Sequence, residues 1–391
     1  MDICSAVFSN RKILVGMERI YFDNAATTSL DPEVLEAMMP FLTGKFGNPS
    51  SIYSYGREGR MAVEQARKTV ARILNAHPAE IFFTSGGTES TNTAIAAAIH
   101  DLGCRQVITS PIEHHATLHT VEYYRLKGDI QSHFVKLLSD GHVDLAHLEQ
   151  LLAGLEGKCL VTLMHANNEI GNLLNLESAG EIGKKYGAVF HSDTVQTVGH
   201  YPFDLKHTPV HFISAAAHKF HGPKGIGILY INENVKIHPY IHGGSQERNM
   251  RAGTENVYGI VGFAKALELA SARMKTDEEQ IGKLKSYMAA QLKSAIPETH
   301  FNGDAFGNSL YTVLSVSFPK SEKSEMLLFN LDINHICASG GSACTSGAEQ
   351  GSHVIQSIYP DADRVTVRFS FNRDNSTQEV DRVVSKLKEL I

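Results

Sequence analysis

The stretch EIFFTSGGTESTNTAIAAAIH, residues 80–100, runs from a short apolar segment through Gly86-Gly87 into alanines and isoleucines at helical spacing. It reads as a strand (EIFFTS), a glycine turn and a helix (TNTAIAAAIH). A buried strand that turns directly into a helix is the building unit of a parallel sheet covered on both faces. The turn aims the N–H groups of Gly87, Thr88 and Glu89, with the positive helix end, at one spot where an anion fits. Capping of the helix by Ser85 and Thr88 explains the same turn equally well.

Working outward, QVITS, HFVKLL, CLVTLMHA, AVFHSD, HFISAAA and GIGILYI read as further strands, most of them near-continuous apolar runs. Upstream, REGRMAVEQARKTVARILN sets Met61, Ala62, Ala66, Val70, Ile73 and Leu74 at helical spacing, so that face is expected to pack on the sheet. After about residue 255 the pattern changes to two amphipathic helices, NVYGIVGFAKALELASARM and EEQIGKLKSYMAAQLKSAI. The strands LYTVLSVSF and RVTVRFSF and a last helix follow. Ser376 and Glu379 have capping-box spacing at the start of that helix, and Val380, Val383, Val384, Leu387 and Ile391 line one face. The fold class is α/β. A large domain over 20–262 with a mainly parallel sheet is expected, plus a smaller α+β domain over 263–391 joined by residues 1–19.

A length of 391 residues exceeds what one core usually organises, and 42% apolar with 20% charged residues is an ordinary globular composition. A net charge of −6 gives no basic footprint for nucleic acid, and no apolar run is long enough to span a bilayer. Five sparse cysteines fit a reducing compartment, so the cytoplasm is expected. The start carries no pattern of a secretion signal.

Several stretches place chemistry at strand ends. SAAAHKFHGPKGIG puts Lys219 directly after a buried strand, where partial desolvation favours the neutral amine that forms an imine. Beside it, His218 fits an ordinary core histidine equally well. AVFHSDTVQTVG ends a strand on Asp193, with Gln196 three residues on. A buried carboxylate there needs a cationic partner such as a pyridinium nitrogen, which with Lys219 suggests pyridoxal phosphate; N-capping by Asp193 is the plain alternative. SPIEHHATLHT and LMHANNEIG carry His114, His115, His165, Asn167, Asn168 and Glu169. Their spacings form no zinc motif, and an imidazole stacked on an aromatic cofactor could relay protons near neutral pH. CASGGSACTSGAEQG, residues 337–351, sets Cys337 and Cys344 in small residues with no periodicity, where a cysteine is a cross-link, a ligand or a reagent.

Ten fragments occur in one order: YFDNAATT, GNPSS, TSGGTES, EHHA, HANNEIG, SDTVQ, AHKFHGPKGIG, RAGTEN, SGGSACTSG and VRFSFN. In these the sequence resembles the pyridoxal-phosphate cysteine desulfurases of the NifS/IscS type, from about residue 19 to the C-terminus. The resemblance implies the fold-type I architecture of pyridoxal 5'-phosphate enzymes and conversion of L-cysteine to L-alanine, with the sulfur held on Cys344 as a persulfide. It implies Lys219 as the imine lysine, Asp193 on the pyridine nitrogen, His114 stacked on the ring, and Asn168 and Gln196 at the ring hydroxyl. Gly87, Thr88 and His218 resemble the phosphate cup, and Thr254 a threonine that reaches the phosphate of a neighbouring subunit in a homodimer. Arg368, with Asn168, is placed at the substrate carboxylate. The implied partner is a sulfur-acceptor protein such as an iron–sulfur scaffold, or a tRNA-thiolation acceptor; in some relatives the cysteine matching Cys344 also touches a cluster, which makes Cys344 a candidate transient cluster ligand. Two positions depart from the pattern: Ala216 stands where many members have a phosphate-contacting serine, and Cys337 has no assigned role. A selenocysteine lyase or another pyridoxal-phosphate lyase is the alternative enzyme, and a redox or metal scaffold using Cys337 and Cys344 the alternative class.

Overall fold

The computed structural model describes residues 19–322, 324–340 and 351–391. Seven strands form the main sheet: β2 (Ile81–Thr84), β3 (Gln106–Thr109), β4 (Gln131–Phe134), β5 (Cys159–Thr162), β6 (Val189–Asp193), β7 (Phe212–Ala216) and β8 (Gly227–Ile231). Their spatial order is β2-β8-β7-β6-β5-β3-β4. All neighbours are parallel except β8, which runs antiparallel to both β7 and β2. Strands β2, β5, β7 and β8 are buried along their whole length, as apolar runs between two helical layers require. The strand expected over 133–138 begins at Gln131 and stops at Phe134; beyond it Leu138 N–H donates to the His142 carbonyl in a tight turn.

The helix Ser54–Ile73 packs through Val63, Ala66, Val70 and Ala71, while Met61 is 72% exposed. Ala62, Ile73 and Leu74 join the same core, so the expected face packs as a whole except for Met61. Gly56 and Gly59 lie against the preceding loop, where a Cβ at Gly56 would stand 2.4 Å from the Ser51 carbonyl oxygen and one at Gly59 2.8 Å from that of Gly47. Only glycine allows the preceding loop to lie that close.

A smaller antiparallel sheet has the order β12-β10-β9, from β9 (His300–Phe301), β10 (Val313–Pro319) and β12 (Arg364–Ser370). On it lies the helix Thr377–Leu390, started by the expected capping box: Glu379 N–H donates to Ser376 Oγ, and Ser376 N–H to Glu379 Oε2. Val380, Val383, Val384 and Leu387 enter a second core with Leu314, Val316 and Phe369. The two helices expected after residue 255 are one, Val257–Ala295. The joining residues ARMKTDEEQ contain neither Gly nor Pro, so nothing breaks it. Its first half (Val257 to Leu267) belongs to the core of the large sheet and its second half (Ile281 to Leu292) to that of the small one. The expected division at 262/263 thus falls inside this helix.

Cys337 lies on a two-residue strand, β11 (Ile336–Cys337), which pairs in parallel with β1 (Ile20–Tyr21), and not in irregular chain. Among the described residues no helix is long and apolar enough to cross a membrane.

Candidate active site

The chemistry collects where several strands of the large sheet end. At the end of β7 the chain tightens into a turn over Ala217–Lys219. The Lys219 ammonium donates to the carbonyls of Ala25, at 2.7 Å, and Ala26, at 2.9 Å. Thr28 straps the same stretch onto the turn: its N–H and Oγ1 both donate to the His218 carbonyl, and its Oγ1 accepts from His221 N–H. The 22–28 stretch is thereby bound to the lysine across nearly two hundred residues of chain.

Asp193 closes β6 and is 7% exposed. Its Oδ1 accepts from Val195 N–H at 2.9 Å, so the turn-capping role is real but occupies one oxygen. Burial pushes the carboxyl above its ordinary range, against the pull of His114 and Lys219. His114 begins the helix His115–Leu126, its Nδ1 accepting from Ala116 N–H at 3.1 Å. Burial holds that ring below the usual imidazole range, and Lys219 adds to the effect against Asp193. The neutral ring is assigned its proton on Nε2, because Nδ1 is an acceptor. The cluster holds other neutral histidines: burial and then Lys219 lower His218 to about 4, and burial lowers His191, behind Asp193, to about 3.

The helix Gly87–His100 meets the same place with its N-terminus. Gly86 is its cap residue and among the described residues no side chain caps it, so neither Ser85 nor Thr88 takes the alternative capping role. The first-turn N–H groups are thus open to an external acceptor. A Cβ at Gly87 would come within 2.6 Å of Val195 Cγ2, filling the cradle.

From the small sheet comes Arg368, 1% exposed. Its Nη2 pairs with Asp23 Oδ1 at 2.7 Å, its Nη1 donates to the Asn168 carbonyl at 2.8 Å, and its Nε is buried without a partner among the described residues. Its backbone exchanges hydrogen bonds with Ser339, at 2.6 and 3.3 Å. Beyond the undescribed residues 341–350, Ser352 Oγ donates to Glu169 and His353 Nε2 lies 3.0 Å from the Glu113 carbonyl. Both flanks of the segment carrying Cys344 are therefore tied to residues adjoining the site.

Residues 20–383 match the family described as aminotransferase class-V. The chain belongs to that family. Among its relatives, the cysteine desulfurase IscS of Dictyoglomus turgidum is 41% identical over 376 residues, spanning 95% of this chain and 94% of its own. The putative cysteine desulfurase IscS 1 of Bacillus subtilis is 42% identical over 382 residues, spanning 96% and 99%. Of solved structures, a NifS-like protein superposes with a TM-score of 0.88 at 39% identity, over 95% of this chain and 99% of that one. SspA in complex with cysteine superposes at 0.77 and 29% identity, over 90% and 98%.

In this class-V chain one cavity of about 220 Å³ is lined by Lys219, His218, Asp193, Gln196 and His114, and also by Gly87, Thr88, Asn168 and Arg368. Gln196 turns its amide nitrogen to the Ala25 carbonyl at 3.0 Å. Ala216 lines the cavity as well. Thr254 does not; it stands in a separate cleft with Ser85 and Arg251. Cys344 lies outside the described residues. Reading the sequence misses Ala25 and Ala26, which act through backbone carbonyls, and Asp23, the partner of Arg368. Their only sequence signal is the small-residue run DNAATT, which names no chemistry.

The pocket fits pyridoxal 5'-phosphate on the donor set alone. A strand-end amine, a buried carboxylate, an imidazole and an uncapped helix N-terminus with a glycine cradle surround one space.

Proposed function

We propose that this class-V chain is a cysteine desulfurase, which takes L-cysteine, keeps its sulfur on Cys344 as a persulfide and releases L-alanine. The observation that carries the reading is the convergence of Lys219, Asp193 and the Gly87 helix end on one cavity that Arg368 also lines. Pyridoxal 5'-phosphate, when bound, supplies the electron sink that loosens the substrate's bond to its own sulfur. The chain's residues do the rest. Lys219 would provide the amine that holds the cofactor, and Asp193 the carboxylate for its ring nitrogen. Gly87, Thr88 and His218 would receive its phosphate, Asn168 and Gln196 its hydroxyl, and His114 would stack on its ring. Arg368 takes the substrate carboxylate with the donors that Asp23 and Asn168 leave over. In the transfer the Cβ–S bond breaks and an S–S bond to the Cys344 thiolate forms. The electron pair stays on carbon, which gains a proton, and the His114 imidazole is the group placed to move it.

Cys344 is five residues from Ser339, whose backbone is bonded to Arg368. Five residues span at most about 17 Å, so the thiol is tethered to within about that distance of Ser339. The sulfur then passes to an acceptor protein, for which iron–sulfur assembly is the family's typical use. We assign the chain to the cytoplasm on its sparse cysteines, and we divide it into a large cofactor-binding unit and a small unit that meet along the helix Val257–Ala295. We also take it to act as a homodimer with Thr254 turned to the partner's phosphate. In support, Phe46, Ile52 and Met61, all within sixteen residues, are 72%, 86% and 72% exposed, more apolar surface than one short stretch of a monomer usually shows.

Borohydride treatment of the cofactor-loaded protein followed by peptide mapping tests the assignment. The cofactor is expected on the Lys219 peptide and on no peptide of Lys219→Ala; its attachment elsewhere refutes the reading.

A further inference from the structure

Glu89 occupies the first turn of the helix whose N-terminal N–H groups face the phosphate end of the proposed site. It lines a cleft of about 390 Å³ together with Thr88, His218 and Lys224. A carboxylate suits an empty helix end, but next to a bound phosphate dianion the like charges oppose each other. The Glu89 carboxylate does not stand alone. Arg251 Nε lies 2.9 Å from Oε1 and its Nη2 3.2 Å from Oε2, and Ser85 N–H donates to Oε2 at 2.9 Å. Burial alone would raise the carboxyl, and these bonds outweigh it and hold Glu89 below its ordinary range.

Arg251 is held in place by an unusual piece of backbone. Glu247, Arg248 and Asn249 have φ of 44°, 57° and 66°, three successive non-glycine residues in the left-handed region. Each is disfavoured for a residue with a Cβ unless its surroundings impose it. Here they do. The buried Glu247 carboxylate takes both terminal nitrogens of the buried Arg67, each at 2.8 Å, and also Phe83 N–H at 2.8 Å. Arg67 also donates to the Ile81 carbonyl at 2.7 Å, and Arg248 pairs with Glu64 at 3.0 Å. The turn is thus fastened to β2, the strand that leads straight into Ser85 and Gly87.

We propose that Arg251 is a positioning residue for the phosphate end of the cofactor site, cancelling the charge of Glu89 on the helix's first turn, and that the Arg67–Glu247 pair holds it there. The inference rests on the reading of Gly87 and Thr88 as phosphate ligands.

The test is to titrate the cofactor-free protein, followed by absorbance, with pyridoxal 5'-phosphate and with pyridoxal, which lacks the phosphate. Arg251→Gln is expected to weaken pyridoxal 5'-phosphate about ten-fold and leave pyridoxal unchanged. Adding Glu89→Gln should restore binding to within about two-fold. Glu247→Gln, if it folds, should reproduce the selective loss. Equal loss of both ligands, no loss, or failure of Glu89→Gln to restore binding overturns the proposal; the last result would mean that Arg251 acts by placing Thr254. Wild-type protein that binds the two ligands equally well would instead overturn the phosphate reading beneath it.

Discussion

Replacing Arg368 by lysine keeps a positive charge at the substrate end of the cavity and removes its geometry. The guanidinium is held at two points, Asp23 at 2.7 Å and the Asn168 carbonyl at 2.8 Å, leaving donors in a plane that a carboxylate can match. A single ammonium cannot satisfy Asp23, the Asn168 carbonyl and an incoming carboxylate together with the same directions. One charge-assisted hydrogen bond to the substrate is worth about 1.5–3 kcal/mol, which converts to roughly a 10- to 150-fold rise in KM for cysteine. Because Arg368 stands at the carboxylate and not at the breaking bond, kcat should change far less. A second loss appears without substrate: one buried anchor disappears, at about 1.5–3 kcal/mol of folding stability. Steady-state alanine release at varied cysteine, with thermal unfolding of the same preparation, reads both. An unchanged saturation curve with a lowered melting temperature would show Arg368 to be a fold residue only and would refute its role at the carboxylate.

Two further expectations concern stability. Glu113 is fully buried beside His114, and burial raises its carboxyl to about 8 against bonds from Met164 N–H and Ser110 Oγ. With the folded value above the unfolded 4.5, the folded state holds a proton that the unfolded state has lost. That contribution is present in full below about pH 4.5 and fades as pH rises to about 8. Glu113→Gln, an uncharged mimic of the protonated acid, should flatten the pH dependence of denaturant unfolding over that window and raise stability at pH 8 by about 4 kcal/mol. An unaltered slope would mean that Glu113 is ionised in the fold. At the other end of the chain, Ser376→Ala removes the cap of the helix Thr377–Leu390 and should lower the unfolding free energy by about 1 kcal/mol with activity kept; no change would show the cap bond to be idle.

The residues that carry chemistry were legible because they sit at strand ends, where an apolar run stops on a lysine, an aspartate or a glycine pair. The partners that hold them were not. Lys219 is clasped by two alanine carbonyls, and a backbone acceptor looks alike in every sequence. The direction of β8 was hidden for a related reason: a strand buried on both faces has no polar side to give its sense away, and Gly222-Pro223 through Gly225 turn the chain straight back beside β7. Of the expected face of Ser54–Ile73 only Met61 lies outside the core, because spacing alone fixes the edge of a helical face only to within a residue. The long helix reads as two because a run of charged residues marks a change of core, not a break in the backbone.

The account's central claim is that one cavity joins a lysine-held cofactor to sulfur transfer onto a distant cysteine. Mass spectrometry of the cofactor-loaded protein after brief exposure to L-cysteine, with thiols blocked and without reductant, tests it most directly. One extra sulfur atom is expected on the Cys344 peptide of the wild type and none on that of Cys344→Ser, with cofactor still bound to both. Extra sulfur on Cys337 or another cysteine, or alanine released at the wild-type rate by Cys344→Ser, would contradict it.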